Sequence, residues 1–162
     1  MEVRRLRADE WERWREWRLT ALQEAPYAFG TSYAEAVATP DDEWRERVTR
    51  MATSDESAMF LADHNGEWLA SSGCYVEDGV PNVFGVWVRP ESRGQGIAKR
   101  AIGHAVAWAR ERGHDEIRLY VTDTNTAAIR LYERLGFARN GTTQPLPSDP
   151  SLMESEYALS LR

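Results

Sequence analysis

The sequence predicts a single α/β domain over residues 1–162, built on a mixed sheet of about seven strands, and three observations carry that expectation. Residues 58–88 read as three consecutive apolar strands, because Asn65-Gly66 and Asp78-Gly79 interrupt them as tight turns. Val86-Trp87-Val88 then runs into a basic, glycine-rich turn and a helix, where the apolar spacing changes from strand to helix period. A strand at 116–122, a helix from Asp123 or Asn125 and a short strand from Phe137 follow, and Tyr157 to Leu161 alternates as a last strand.

Taken in order, Glu2 to Arg7 suits a short first strand with Val3 and Leu6 inward, and Asp9 is placed to cap the helix that follows. That helix reaches Glu24, before Pro26. Its Trp11, Trp14 and Trp17 recur at every third residue, a broad apolar face that packs as core or lines a pocket for a cation. Pro26 to Ser32 reads as a loop and Tyr33 to Val37 as a helical turn. Pro40-Asp41-Asp42 opens a helix to about Met51, with Trp44 and Val48 on one face. The helix from Gly96 to about Arg112 places Ile97, Ala101, Ala105 and Trp108 together and ends at Gly113. Gly103 inside it costs ~1 kcal/mol relative to Ala, which close packing against the sheet would explain. Ile117, Leu119 and Val121 share a strand face; Ala128, Leu131, Tyr132 and Leu135 share the next helix face. Gly141 to Leu152, with Pro145, Pro147 and Pro150, reads as a long loop.

Composition bounds the function. Hydrophobic residues make up 42% and charged residues 28%, as in an ordinary globular domain. The net charge of −6 argues against a nucleic-acid partner. No apolar h-region follows Met1 and no long apolar run occurs, so neither a signal peptide nor a membrane span is expected. The single cysteine, Cys74, lies in an apolar strand and forms no disulfide within the chain, which suits a reducing, cytoplasmic location.

The basic turn carries the chemistry. Pro90 stops the strand, and Gly94 and Gly96 let backbone N–H groups turn towards a ligand just where a helix begins. A helix N-terminus offers free N–H groups and partial positive charge, so the turn suits an anion, above all phosphate. Lys99 replaces the third glycine of the dinucleotide fingerprint, and the Gly-Lys-Ser/Thr of the nucleotide P-loop is absent. Arg93-Gly94-Gln95-Gly96-Ile97-Ala98 instead has the form Arg-x-x-Gly-x-Ala. Downstream, Asn125 to Phe137 has the form Asn-x-x-Ala-x-x-Leu-Tyr-x-x-x-Gly-Phe.

The two motifs in this order resemble those of the GNAT superfamily, the GCN5-related N-acetyltransferases, across roughly residues 82–139, about a third of the chain. The resemblance implies the GNAT fold, a mixed and mostly antiparallel sheet of about seven strands with splayed central strands, flanked by about four helices. It implies acetyl-CoA as co-substrate, transfer of the acetyl group to a primary amine, and no metal. Pyrophosphate would lie on Arg93, Gly94, Gln95, Gly96, Ile97 and Ala98, with Lys99 and Arg89 adding charge. The pantetheine arm would follow the strand opened at Val86, Trp87 and Val88. Asn125 would contact the cofactor, and Tyr132 would give a proton to the departing CoA thiolate. From the residues alone, Asn125 also reads as a helix N-cap, and a core aromatic is the lesser alternative for Tyr132.

The acceptor is less constrained. The resemblance places its wall between the first two helices, which makes Tyr27, Phe29, Tyr33 and Glu35 candidate contacts, joined by Asp149 of the proline-rich segment. These aromatics and acids, with the net charge of −6, favour a small cationic amine of aminoglycoside or polyamine type. A protein N-terminus or lysine is the alternative acceptor, and a non-catalytic acyl-CoA-binding module the alternative role. Many GNAT members carry a Glu base on the strand before the phosphate loop. Val80 to Val88 has no Asp or Glu, which leaves Glu77, Asp78, Glu35 or a water. A homodimer is suggested by analogy only.

Overall fold

Two-residue turns build the first half of the sheet. Asn65 and Asp78 take left-handed φ values of 53° and 51°, followed by Gly66 at 87° and Gly79 at 76°. That backbone matches the twist of the flanking strands. In the computed structural model, which describes Met1–Arg162, these turns join β2 (Ser57–His64), β3 (Glu67–Glu77) and β4 (Val80–Val88) into an antiparallel meander. β1 (Glu2–Arg5) pairs antiparallel with β2. β5 (Glu116–Thr122) lies beside β4, and β6 (Ala138–Leu146) and β7 (Asp149–Ser160) complete the sheet in the order β1-β2-β3-β4-β5-β7-β6. Only β4 and β5 are parallel, and they pair at a single position, Asn82 with Arg118. Beyond it the two strands splay apart.

The splay has a local cause. Ser71 faces Trp87 and Gly73 faces Phe84, so Ser72 alone stands opposite both Gly85 and Val86. This is a β-bulge, and Gly85 supports it with a left-handed φ of 64°. The Ser71 hydroxyl donates to the Gly85 carbonyl at 2.7 Å, and the Trp17 indole N–H donates to Ser71 Oγ at 3.0 Å. A buried side chain thus holds the bulge in place.

Helices cover both faces. α1 (Trp11–Glu24), α2 (Tyr33–Val37) and α3 (Asp41–Thr53) pack on one; α4 (Ile97–Glu111) and α5 (Thr126–Arg134) pack on the other. Strand alternation divides the core between them. Met59 and Leu61 of β2 join Trp14, Trp17, Trp44 and Trp87, whereas Ala58 and Phe60 join Ile102, Trp108, Leu119 and Tyr157. Trp17 meets the rings of Trp68 and Trp87 edge-on, with centroids 5.9 and 4.9 Å away.

Three sequence expectations are corrected. Gly141 to Leu152 is no loop; it contains the ends of two paired strands, with Thr143 opposite Ser155 and Pro145 opposite Met153. β6 is the sheet's edge, where a missing proline N–H breaks no ladder. Asp9 is no cap, for it sits in a 3₁₀ turn at Ala8–Glu10, where Glu10 Oε1 accepts from the Arg7 N–H at 2.9 Å. Gly103 does not pack on the sheet, since a Cβ there would meet nothing within 4 Å. The helices number five, the short α2 being the turn expected at Tyr33 to Val37.

The bulge yields a prediction. A Cβ on Gly85 would lie 2.9 Å from Met59 Cε, and its φ of 64° disfavours any branched residue. Gly85→Val should therefore lower unfolding free energy by about 1–3 kcal/mol in a urea titration. An unchanged midpoint would show that this backbone is not strained by a side chain.

Candidate active site

The gap between β4 and β5 opens into a cavity of about 440 Å³ that contains most of the cofactor residues expected from sequence. Val86, Trp87 and Val88 form one wall, and Arg93, Gly94, Gly96, Ile97, Ala98 and Lys99 form its floor. Asn125 and Tyr132 face them from α5. Gln95 belongs to the same turn but not to the cavity wall. Gly94 and Gly96 have φ of 78° and 74°, and a Cβ on either would project into open space. No N–H from Gly94 to Lys99 has a protein acceptor. An unpaired run of donors at the start of a helix fits an anionic group such as a pyrophosphate.

Several side chains differ from their sequence reading. Arg93 is tied down, donating to the Val88 carbonyl at 3.1 Å and to Glu24 Oε2 at 2.7 Å. Arg93 in turn holds the Glu24 carboxyl below its ordinary range. The Trp87 indole donates to the same Glu24 oxygen at 2.9 Å, so its side chain supports the loop from beneath. Arg89 donates to the Trp68 carbonyl at 2.6 Å and lies over the Trp17 ring. Of the three basic residues, only Lys99 is without a protein partner. Asn125 is an N-cap, its Oδ1 accepting from the Ala128 N–H at 3.4 Å, and it also lines the cavity.

Tyr132 is buried to 7% exposure, edge-on to Phe137, and its hydroxyl bonds to no protein group. Burial pushes its phenol above the ordinary range, so it stays protonated. Cys74 is no nucleophile: burial pushes its thiol up to about 12.

A second cavity, of about 560 Å³, lies on the other side of the bulge. Phe84 and Gly85 line this one, whereas Val86 to Val88 line the first. Ala28 and Tyr120 line both, so the two meet there. Four carboxylates border the second cavity: Glu77, Asp78, Glu154 and Glu156. Glu154 accepts from Gln144 Nε2 at 2.7 Å and Glu156 from Asn140 Nδ2 at 2.6 Å. Burial raises the Glu154 carboxyl above the ordinary 4.5, and the Gln144 hydrogen bond only partly offsets this.

The acceptor residues expected from sequence separate. Phe29 lines the second cavity, Tyr27 the first, and Tyr33, Glu35 and Asp149 neither. The two expected segments do meet, with Ser148 Oγ donating to the Phe29 carbonyl, while Thr122 Oγ1 of β5 donates to the Tyr27 carbonyl. Glu77 and Asp78 are in place, whereas Glu154, Glu156 and Tyr120 were missed. Their signal was present: Glu154 and Glu156 alternate directly into Tyr157, so extending the last strand by a few residues puts both on one face. No cluster of three or more His, Cys, Asp or Glu residues suited to a metal occurs, and no helix is long and apolar enough to cross a membrane.

The chain is 39% identical over 92 residues to the mycothiol acetyltransferase of Thermobispora bispora, covering 52% of this chain and 31% of that protein. It spans about a third of the length of the curated relatives it matches. An acetyltransferase of the GNAT family from Streptococcus pneumoniae superposes with a TM-score of 0.81 at 17% identity, over 98% of both chains. The structure of yncA from Salmonella typhimurium, solved with its cofactor acetyl-CoA, superposes with a TM-score of 0.76 at 18% identity, over 100% of this chain and 94% of the other. The model of the acetyltransferase (GNAT) family matches residues 6–137, and the chain belongs to that family.

Proposed function

We propose that this chain transfers the acetyl group of acetyl-CoA to a primary amine of a small molecule, by direct attack in a ternary complex. One observation carries the reading: a cavity fitted to a phosphate-bearing cofactor and an acidic cavity meet at Ala28 and Tyr120, on either side of the bulge. The acetyltransferase relatives named for a small molecule, mycothiol, support a small acceptor, and yncA's acetyl-CoA supports the donor.

The donor supplies an activated thioester; the chain supplies placement and proton handling. The N–H groups of Gly94 to Lys99 hold pyrophosphate, and the freed edge of β4 at Val86 and Val88 pairs with the pantetheine amides. The amine enters as an ammonium among Glu77, Asp78, Glu154 and Glu156, where its charge is favoured. Glu154 accepts its proton, since a raised carboxylate is a better base near neutral pH than an exposed one. Tyr132, kept protonated by burial, donates to the departing thiolate. That role rests on its place in the cavity and on its free hydroxyl.

Three outcomes test these assignments. Gly96→Val puts a branched side chain where φ is 74° and where pyrophosphate would approach. Calorimetry should then show acetyl-CoA affinity reduced by about tenfold or more, and unchanged affinity in a folded variant would move the cofactor elsewhere. Tyr132→Phe should keep affinity and slow turnover, by up to ~10²–10⁴-fold if proton donation limits the rate. Full activity with chemistry limiting would remove Tyr132 from the acid role.

The third concerns pH. A base works only when deprotonated, so kcat should fall as pH drops through a value above the 4.5 of an ordinary carboxyl. Glu154→Gln should lower kcat by ~10²-fold or more and abolish that acid limb. If Glu154→Gln retains the limb while Glu156→Gln loses it, the base is Glu156.

A further inference from the structure

A third cavity, of about 430 Å³, adjoins the acidic one. Arg18, Tyr75 and Phe84 line both, and so form the partition between them. The two chambers have opposite charge. The acidic chamber carries four carboxylates against Arg18 and Arg118, and Arg118 is already paired with Glu116 at 2.8 Å. The third chamber carries Arg18, Arg47 and Arg50 against one lining carboxylate, Glu56, and there Arg47 is paired with Glu43 at 2.6 Å and Arg50 with Glu46 at 4.0 Å, which leaves Arg18 as its unpaired cation.

Arg18 is the residue without an internal explanation. The other arginines around it on α1 are bonded: Arg13 to the Gly66 carbonyl and Arg15 to Asp41. Arg18 makes no hydrogen bond or ion pair to the protein, although its guanidinium has five donors. It lies over the Phe29 ring at 4.8 Å, and one Nη is 3.8 Å from where a Gly85 Cβ would be. Burial, and then the like charge of Arg47, pull its pKa down to about 10. It is still a cation at neutral pH, half-buried beside the bulge on the Phe29 ring and with no carboxylate bonded to it.

An unpaired guanidinium on the partition between an acidic chamber and a basic one describes a ligand with two ends. We propose that the acceptor is zwitterionic: its amine lies among the carboxylates, and an anionic group, carboxylate or phosphate, pairs with Arg18 at the partition. The inference rests on the acetyl-transfer reading and narrows it. A polyamine or aminoglycoside fits poorly, because its second cation would be driven against Arg18.

The test uses matched acceptors with and without the anion: L-phenylalanine and phenethylamine, γ-aminobutyrate and butylamine, O-phosphoethanolamine and ethanolamine. Release of free CoA thiol gives kcat/KM for each. At least one anion-bearing member should be preferred over its counterpart lacking the anion by about tenfold or more, the range of a hydrogen bond to a charged group. The carboxylate and phosphate pairs identify which anion is taken. Arg18→Met should bring the ratio close to unity, chiefly through KM, and Arg18→Lys, which keeps charge but loses the planar fork, should restore part of it. Equal rates within every pair, or a preference that survives Arg18→Met, would overturn the zwitterion. If acetyl-CoA binds but no amine is acetylated, the transfer reading fails, and the anion site is then judged by calorimetry with the same compounds. Saturable binding of an anion-bearing member, lost in Arg18→Met, sustains the site; no binding removes it.

Discussion

The site depends on one constraint in β4: two residues, Gly85 and Val86, occupy the space opposite one, Ser72. An extra residue forces local twist and turns the strand away from its neighbour. Upstream, β4 still meets β5 at Asn82 and Arg118; downstream it has no partner on that side. The unpaired edge would be a liability in most sheets, since open N–H and C=O groups invite pairing. Here that edge is the wall of a cavity, and the bulge is also the border between chambers. Residues before it face the acidic cavity and residues after it face the phosphate turn. One irregularity thus separates the two cavities and lets them meet at Ala28 and Tyr120.

What keeps the bulge in register comes from elsewhere in the chain. Trp17 of α1 bonds Ser71, and Ser71 bonds the Gly85 carbonyl. Trp17 also packs edge-on to Trp87, whose indole holds Glu24, which in turn holds Arg93 of the phosphate turn. The tryptophan face of α1 is therefore core and also a support for the cavity. It ties the bulge, the strand after it and the turn into one set of contacts, while Arg18 on the same helix reaches the acceptor side.

Features set by neighbouring residues were legible in the sequence; features set by distant ones were not. Asn65-Gly66 and Asp78-Gly79 fix their turns through their own φ preferences, and the turn at Gly94 and Gly96 is likewise local. The family motifs occupy that same kind of short window. Gly85 gave little signal, because a glycine in an alternating strand is as readily a weak point as a bulge, and only Ser71 and Trp17 decide which. The prolines hid β6 and the start of β7, since proline is tolerated on an edge strand such as β6 and near a strand's start, as Pro150 is in β7, a property of topology. Glu154 and Glu156 were lost with that strand. Arg18 was masked by the tryptophans around it, and only packing shows that it alone of the arginines on its helix finds no hydrogen-bond partner.

The charge of the acceptor shows why local geometry outweighs composition. A net charge of −6 invites the expectation of a cationic partner. Yet charges in solution are screened beyond about 8 Å at physiological ionic strength, so most of those carboxylates are silent at the site. What acts there is the set of groups within contact distance, in a medium less polar than water. On one side of Phe84 that set is acidic; on the other it is basic. Overall charge can raise the rate at which a ligand approaches, but it cannot supply an acceptor for the Arg18 guanidinium. On the zwitterion reading proposed above, selection among amines falls to that partition, because an amine lacking an anion leaves the Arg18 guanidinium unpaired.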